Sequence, residues 1–121
     1  MRVISRAPFR VNHMRLRPGS REAVRRWAAE MKERHAEVVE TLRAEGVDLE
    51  MWLYEESDEG DSLYIVIQTA DYDRAVEIFL ASTKPADLVH RAFLESVRLD
   101  SRQLELLNCF YRDDPVPEAG A

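Results

Sequence analysis

The chain has 121 residues, 45% of them apolar and 33% charged, and its 17 Lys and Arg stand against 23 Asp and Glu for a net charge of −6. That length supports one core and excludes two domains, and the acidic balance, with no basic aromatic segment, argues against a nucleic-acid partner. The lone Cys109 permits no intrachain disulfide and suits a reducing cytoplasm, no C-x-x-C or H-E-x-x-H spacing builds a metal site, and no apolar run reaches the length of a signal peptide or a membrane span.

Residues 9–16 read as a first strand, in which Phe9, Val11, His13 and Arg15 alternate with Arg10, Asn12, Met14 and Leu16. Both sets mix polar and apolar groups, so the alternation leaves open which face is buried. Arg17-Pro18-Gly19 stops the strand, and Ser20 stands where an N-cap hydroxyl accepts an orphan amide of the first helical turn. One long helix is expected from there to about residue 45, with Val24, Trp27, Met31, His35, Val38 and Leu42 on its buried stripe and Gly46 closing it.

At residue 47 the period switches to two: Val47, Leu49, Met51 and Leu53 alternate with Asp48, Glu50, Trp52 and Tyr54. A polar turn over residues 55–62 leads to a third strand over 63–68, and the two strands should form an antiparallel hairpin. Placing Tyr54 opposite Tyr64 sets Trp52 against Val66 and Glu50 against Gln68, with Met51 and Leu53 beside Ile65 and Ile67 on the helix side. Asp71 then opens a short helix, Ser82-Thr83-Lys84-Pro85 breaks it, and a second helix carries Leu88, Val89, Ala92, Phe93 and Val97 on its apolar side, leaving His90 at the edge of that stripe. Residues 103–111 read as a last strand, and residues 113–121, with Pro115 and Pro117, as a mobile tail after a single domain over 1–112.

This order predicts an α+β fold: a ferredoxin-like βαββαβ antiparallel sheet with helices on one face. The uncovered face of the hairpin would carry Trp52, Tyr54, Tyr64 and Val66, a patch suited to homodimerisation. The strand ending in Leu16-Arg17-Pro18-Gly19, the long helix through Trp27 and the divided helical crossover resemble the dimeric α/β-barrel superfamily. More narrowly, the run from Arg34-His35-Ala36-Glu37 to Ala44-Glu45-Gly46-Val47, followed by Glu50, resembles a domain-of-unknown-function family within it, one with no established activity. The superfamily also holds cofactor-free antibiotic-biosynthesis monooxygenases, haem-degrading monooxygenases and sugar mutarotases, so the fold does not decide the function.

His35, in the middle of the long helical stripe, is a candidate acid or base; its bland counterpart is a hydrogen-bonded core histidine. Asn12 and His13 point to opposite faces of the first strand, and whichever lies under the helices would join His35 as a candidate catalytic group. Trp27 and Met31 are candidate ligand-binding walls, and otherwise plain core. Asn12 and His90 are placed similarly to the Asn and His of the haem-degrading monooxygenases, which makes His90 a further ligand-binding candidate, but Gln68 stands near the position of their tryptophan. The expectation is a cytoplasmic homodimer that binds or transforms a small, partly apolar organic molecule without cofactor or metal, in the manner of a monooxygenase or isomerase. A non-catalytic structural or regulatory dimer is the alternative, and a haem-binding protein a weaker one.

Overall fold

A computed structural model describes residues 4–117. The elements run β1 (Phe9–Leu16), α1 (Arg21–Glu33), α2 (His35–Glu45), β2 (Val47–Glu55), β3 (Ser62–Thr69), α3 (Tyr72–Ala81), α4 (Pro85–Val97) and β4 (Arg98–Leu104). The strands form one antiparallel sheet in the order β2-β3-β1-β4, so each helical crossover skips a neighbour and the ferredoxin-like topology results. The core lies between the helices and one sheet face, where Met14, Leu16, Leu63 and Ile65 meet Val24, Trp27, Phe93 and Val97.

The expected long helix is two helices. Arg34 leaves helical geometry with φ −88° and ψ 25°, and its guanidinium holds Glu30 on one side of the break and Glu37 on the other. The buried stripe of α1 therefore ends at Met31, and His35, expected in its middle, opens α2 as a solvent-exposed residue. Ser20 does precede α1, yet its hydroxyl donates to the Arg17 carbonyl at 2.6 Å rather than capping an amide. Gly46 closes α2 in the left-handed region at φ 74°, where only glycine avoids the Cβ penalty.

The hairpin register also differs from expectation, by one residue. Tyr54 pairs with Leu63, Trp52 with Ile65 and Met51 with Val66. Because side chains alternate with period two, this slip moves β2 from Leu49 onward to the other face. An irregularity between Val47 and Leu49 leaves Val47 buried on the helix side while Leu49, Met51 and Leu53 turn to the uncovered side. Tyr54, now under the helices, donates its hydroxyl to Asp61, which also accepts the Ser57 amide at 3.1 Å and the Arg21 guanidinium at 2.9 Å. That cluster fixes the turn and holds the Asp61 carboxyl far below the usual carboxylate range, chiefly through Arg21 and Tyr54.

The last strand begins at Arg98, directly after α4, and ends at Leu104, so most of the segment expected as strand lies outside the sheet. Its own residues are all exposed, since β4 is an edge strand paired only with β1. The segment expected as a tail is tied down at its start, where Asp113 and Asp114 both engage Arg6; residues 118–121 lie outside the described residues.

Candidate functional site

The sheet and the helices enclose a cavity of about 320 Å³, within the range of small-molecule sites. Met31, Val38, Leu42, Ile65, Ile67 and Phe79 form much of its apolar wall. Polar groups enter from separate elements: Asn12 from β1, Glu45 from α2, Glu50 from β2, Tyr72 from α3, and Asp87 and His90 from α4.

His90 is at the centre of this arrangement. The buried stripe of α4 runs through Ala86, His90, Phe93 and Val97 at helical spacing, not through Leu88 and Ala92, which face solvent. The imidazole is therefore a core group rather than an edge one. Trp27, Trp52 and Phe79 meet it edge-on, with ring centroids at 5.4, 5.2 and 5.2 Å. Among the described residues, the buried side-chain polar atom that is sealed and unpartnered is Trp27 Nε1. The ring nitrogens of His90, which make no hydrogen bond within the described residues, therefore open onto the cavity. Burial pushes the His90 pKa down to about 4, so the ring is neutral at physiological pH, with one nitrogen a donor and the other an acceptor.

Two carboxyl groups shift the opposite way. Burial raises Glu50 to about 7, with the negative charge of Asp87 adding to it and the Trp52 Nε1–H, which donates to Oε2 at 2.6 Å, opposing it. Burial also raises Glu45 to about 8, reinforced by the charges of Asp87 and Glu50. Across the cavity, Asn12 donates to the Tyr72 hydroxyl at 2.9 Å. The Thr41 hydroxyl, from α2, donates to the Val38 carbonyl at 2.7 Å. A neutral imidazole and a carboxyl that titrates near neutrality are groups that can move protons at working pH.

Of the residues singled out in the sequence, Asn12, Met31 and His90 line this cavity. Trp27 lies behind it, stacked on Phe93 at 4.2 Å and against Trp52 at 4.3 Å. His13 is on the other side of the sheet, stacked on Tyr64 at 4.6 Å with Nε2 at 2.8 Å from the Ser62 hydroxyl. His35 is exposed and away from the cavity, because the break at Arg34 turns it outward. The alternation therefore resolves in favour of Asn12 as the β1 residue under the helices, and neither His13 nor His35 joins it. Glu45 and Asp87 were not anticipated, since charges near helix ends ordinarily read as solvated surface.

The family model described as a family of unknown function (DUF6176) matches residues 8–112. The chain belongs to that family. No curated protein matches the chain in sequence. Among solved structures, a NIPSNAP-like domain protein from Burkholderia xenovorans is similar with a TM-score of 0.56 at 16% identity, over 90% of each chain. The protein PA3566 from Pseudomonas aeruginosa is similar with a TM-score of 0.52 at 23% identity, over 84% of this chain and 96% of its own. At these identities the likeness establishes the ferredoxin-like fold that this DUF6176 member shares with both.

Asn12 and His90 share the cavity, but the other residues there do not fit haem. The carboxyls of Glu45, Glu50 and Asp87 in the cavity lining disfavour the two anionic propionates a haem would bring. Gln68, near the position of the monooxygenase tryptophan, is on the opposite side of the sheet, donating to the carbonyls of Ser5 and Ala7. Among the described residues no group of three or more His, Cys, Asp or Glu is arranged to hold a metal ion, and no helix is long and apolar enough to cross a membrane.

Proposed function

We propose that this protein binds a small, partly apolar organic molecule in the cavity between its helices and sheet, and that proton transfer by His90 and Glu50 is the chemistry available to it there. The observation that carries the reading is His90, a buried and neutral imidazole whose nitrogens have no partner within the described residues and face a largely apolar cavity into which a few other polar groups project. A polar group set into an apolar wall orients a ligand, and a cofactor-free isomerisation, or an oxidation in which dioxygen is the oxidant, would use the same pair as acid and base. The test is titration with neutral aromatic fragments, indole among them, followed by NMR at the Trp52 indole N–H and the His90 ring. Saturable shifts are expected, and the cavity-filling substitution Val38→Phe should abolish them in a folded protein. Absence of any saturable shift at millimolar fragment leaves the non-catalytic dimer as the better reading.

The same proposal includes a homodimer formed through the uncovered sheet face, in a reducing compartment that suits the exposed thiol of Cys109. On that face Met51 and Leu53 are 43% and 51% exposed and pair across the sheet with Val66 and Tyr64. This patch replaces the one built on Trp52 and Tyr54, which the hairpin register turns under the helices. A face that presents its own apolar surface is complementary to a second copy about a two-fold axis. Light scattering at micromolar concentration should give twice the chain mass, and Leu53→Glu should give a folded monomer. A wild-type monomer under those conditions refutes the dimer.

A further inference from the structure

We propose that the natural occupant of the cavity is an organic cation, a small amine with an aromatic or branched aliphatic tail. This inference rests on the cavity being the ligand site and adds the charge of its ligand. Glu45, Glu50 and Asp87 converge on the cavity from α2, β2 and α4. Glu45 and Asp87 are only 8% and 5% exposed, and neither carboxyl group has a hydrogen bond or an ion pair among the described residues. Glu50 holds only the Trp52 indole N–H. Buried carboxylates are ordinarily paired, because an uncompensated charge in an apolar space is destabilising when its partner is missing.

Asp87 lies in the first turn of α4, whose N-terminus favours a carboxylate, but no cationic side chain pairs with any of the three carboxyls among the described residues. His90, 7% exposed and aimed into the cavity, is unpartnered and kept neutral by burial. The Tyr72 hydroxyl, from α3, accepts from the Asn12 amide and makes no hydrogen bond to the three carboxyls among the described residues. Arg98, at the start of β4, borders the cavity but is solvent-exposed and makes no ion pair with them among the described residues, and exposed Lys84 acts on Glu45 only through space. A metal ion is a poor candidate, since no group of ligands among the described residues is arranged for one. An ammonium group is suited to the carboxyls, and Trp52, Tyr72 and Phe79 offer ring faces and hydrocarbon for its tail. An entering cation ionises whichever of these carboxyls still holds a proton, so binding releases protons and strengthens as pH rises.

The test compares benzylamine with its neutral isostere benzyl alcohol, titrated calorimetrically into the full chain in physiological salt. At pH 8 the amine should bind roughly 10-fold or more tightly than the alcohol, a preference of the size a charge-assisted hydrogen bond gives. The preference should shrink at pH 5.5, and the pair Glu45→Gln with Asp87→Asn should remove it, bringing the amine down to the affinity of the alcohol in the same variant. Glu22→Gln, an exposed carboxylate of α1, should change neither and so exclude attraction by net charge. Equal affinity, or tighter binding of the alcohol, overturns the cation and leaves the cavity reading intact. Binding of neither compound overturns both.

Discussion

Trp27→Ala is expected to lower the stability of the fold by about 3–5 kcal/mol, the range for emptying a buried aromatic site. The indole stacks on Phe93 at 4.2 Å and 5°, lies against Trp52 at 4.3 Å, and meets the edge of His90 at 5.4 Å. It therefore joins α1, α4 and β2 at a single point. The loss should appear as a lower midpoint of urea unfolding with an unchanged slope. Trp27→Phe should cost far less, because the smaller ring also removes Nε1–H, which is buried without a partner. A Trp27→Ala protein within about 1 kcal/mol of wild type would mean that the aromatic cluster is not the centre of the core.

The order of elements was legible because each switch of period is sharp. Gly46 separates a helical stripe from strict alternation, and Pro85 divides the second crossover at the first position of α4. What escaped were features without a breaker residue. The turn at Arg34 contains neither Gly nor Pro and depends on a guanidinium bridging Glu30 and Glu37. The irregularity near Asp48 reverses the faces of β2 from Leu49 onward without disturbing its alternation in sequence. The edge strand Arg98–Leu104 is exposed throughout, so it carries no pattern of burial, whereas the apolar alternation that follows it is not strand at all.

The candidate site was half legible for a related reason. Asn12 and Met31 fall on the helix side of their elements, and His90 drew notice through resemblance, although the stripe drawn for α4 placed it at the margin. The Glu45 and Asp87 carboxyls are invisible to such reading because each lies near a helix end, where a charge is ordinarily solvated. They are buried here because α2 ends and α4 begins over the same cavity. Glu50 stood on a strand face that was expected to be sealed by a dimer partner, and the hairpin register places it under the helices instead.

Glu45→Gln should stabilise the protein by about 2 kcal/mol at pH 8.5 and have little pH-dependent effect below pH 4.5, so the difference between variant and wild type should grow across that interval. The ordinary glutamic acid value is 4.5, and burial together with the charges of Asp87 and Glu50 raises Glu45 to about 8 in the folded chain. Below 4.5 both states hold the proton and the shift contributes nothing. Between 4.5 and about 8 the unfolded chain ionises while the folded chain does not, so wild-type stability falls as pH rises, and above 8 the loss is complete. The full shift corresponds to more than about 4 kcal/mol at 1.36 kcal/mol per pH unit, and turning the ionised side chain toward solvent recovers roughly half of it. His90 gives the opposite slope: held at about 4 against an ordinary 6.5, it contributes stability above 6.5 that is lost as pH falls toward 4. The Glu45 and His90 slopes oppose each other between about pH 4.5 and 6.5, and Glu50, raised to about 7, adds to the loss as pH rises, so wild-type stability should fall from mildly acidic solution toward pH 8; in Glu45→Gln that fall should shrink to the part Glu50 supplies. Parallel stability curves for the two proteins from pH 4.5 to 8.5, followed by chemical denaturation, would show that Glu45 ionises in the folded chain as it does in water.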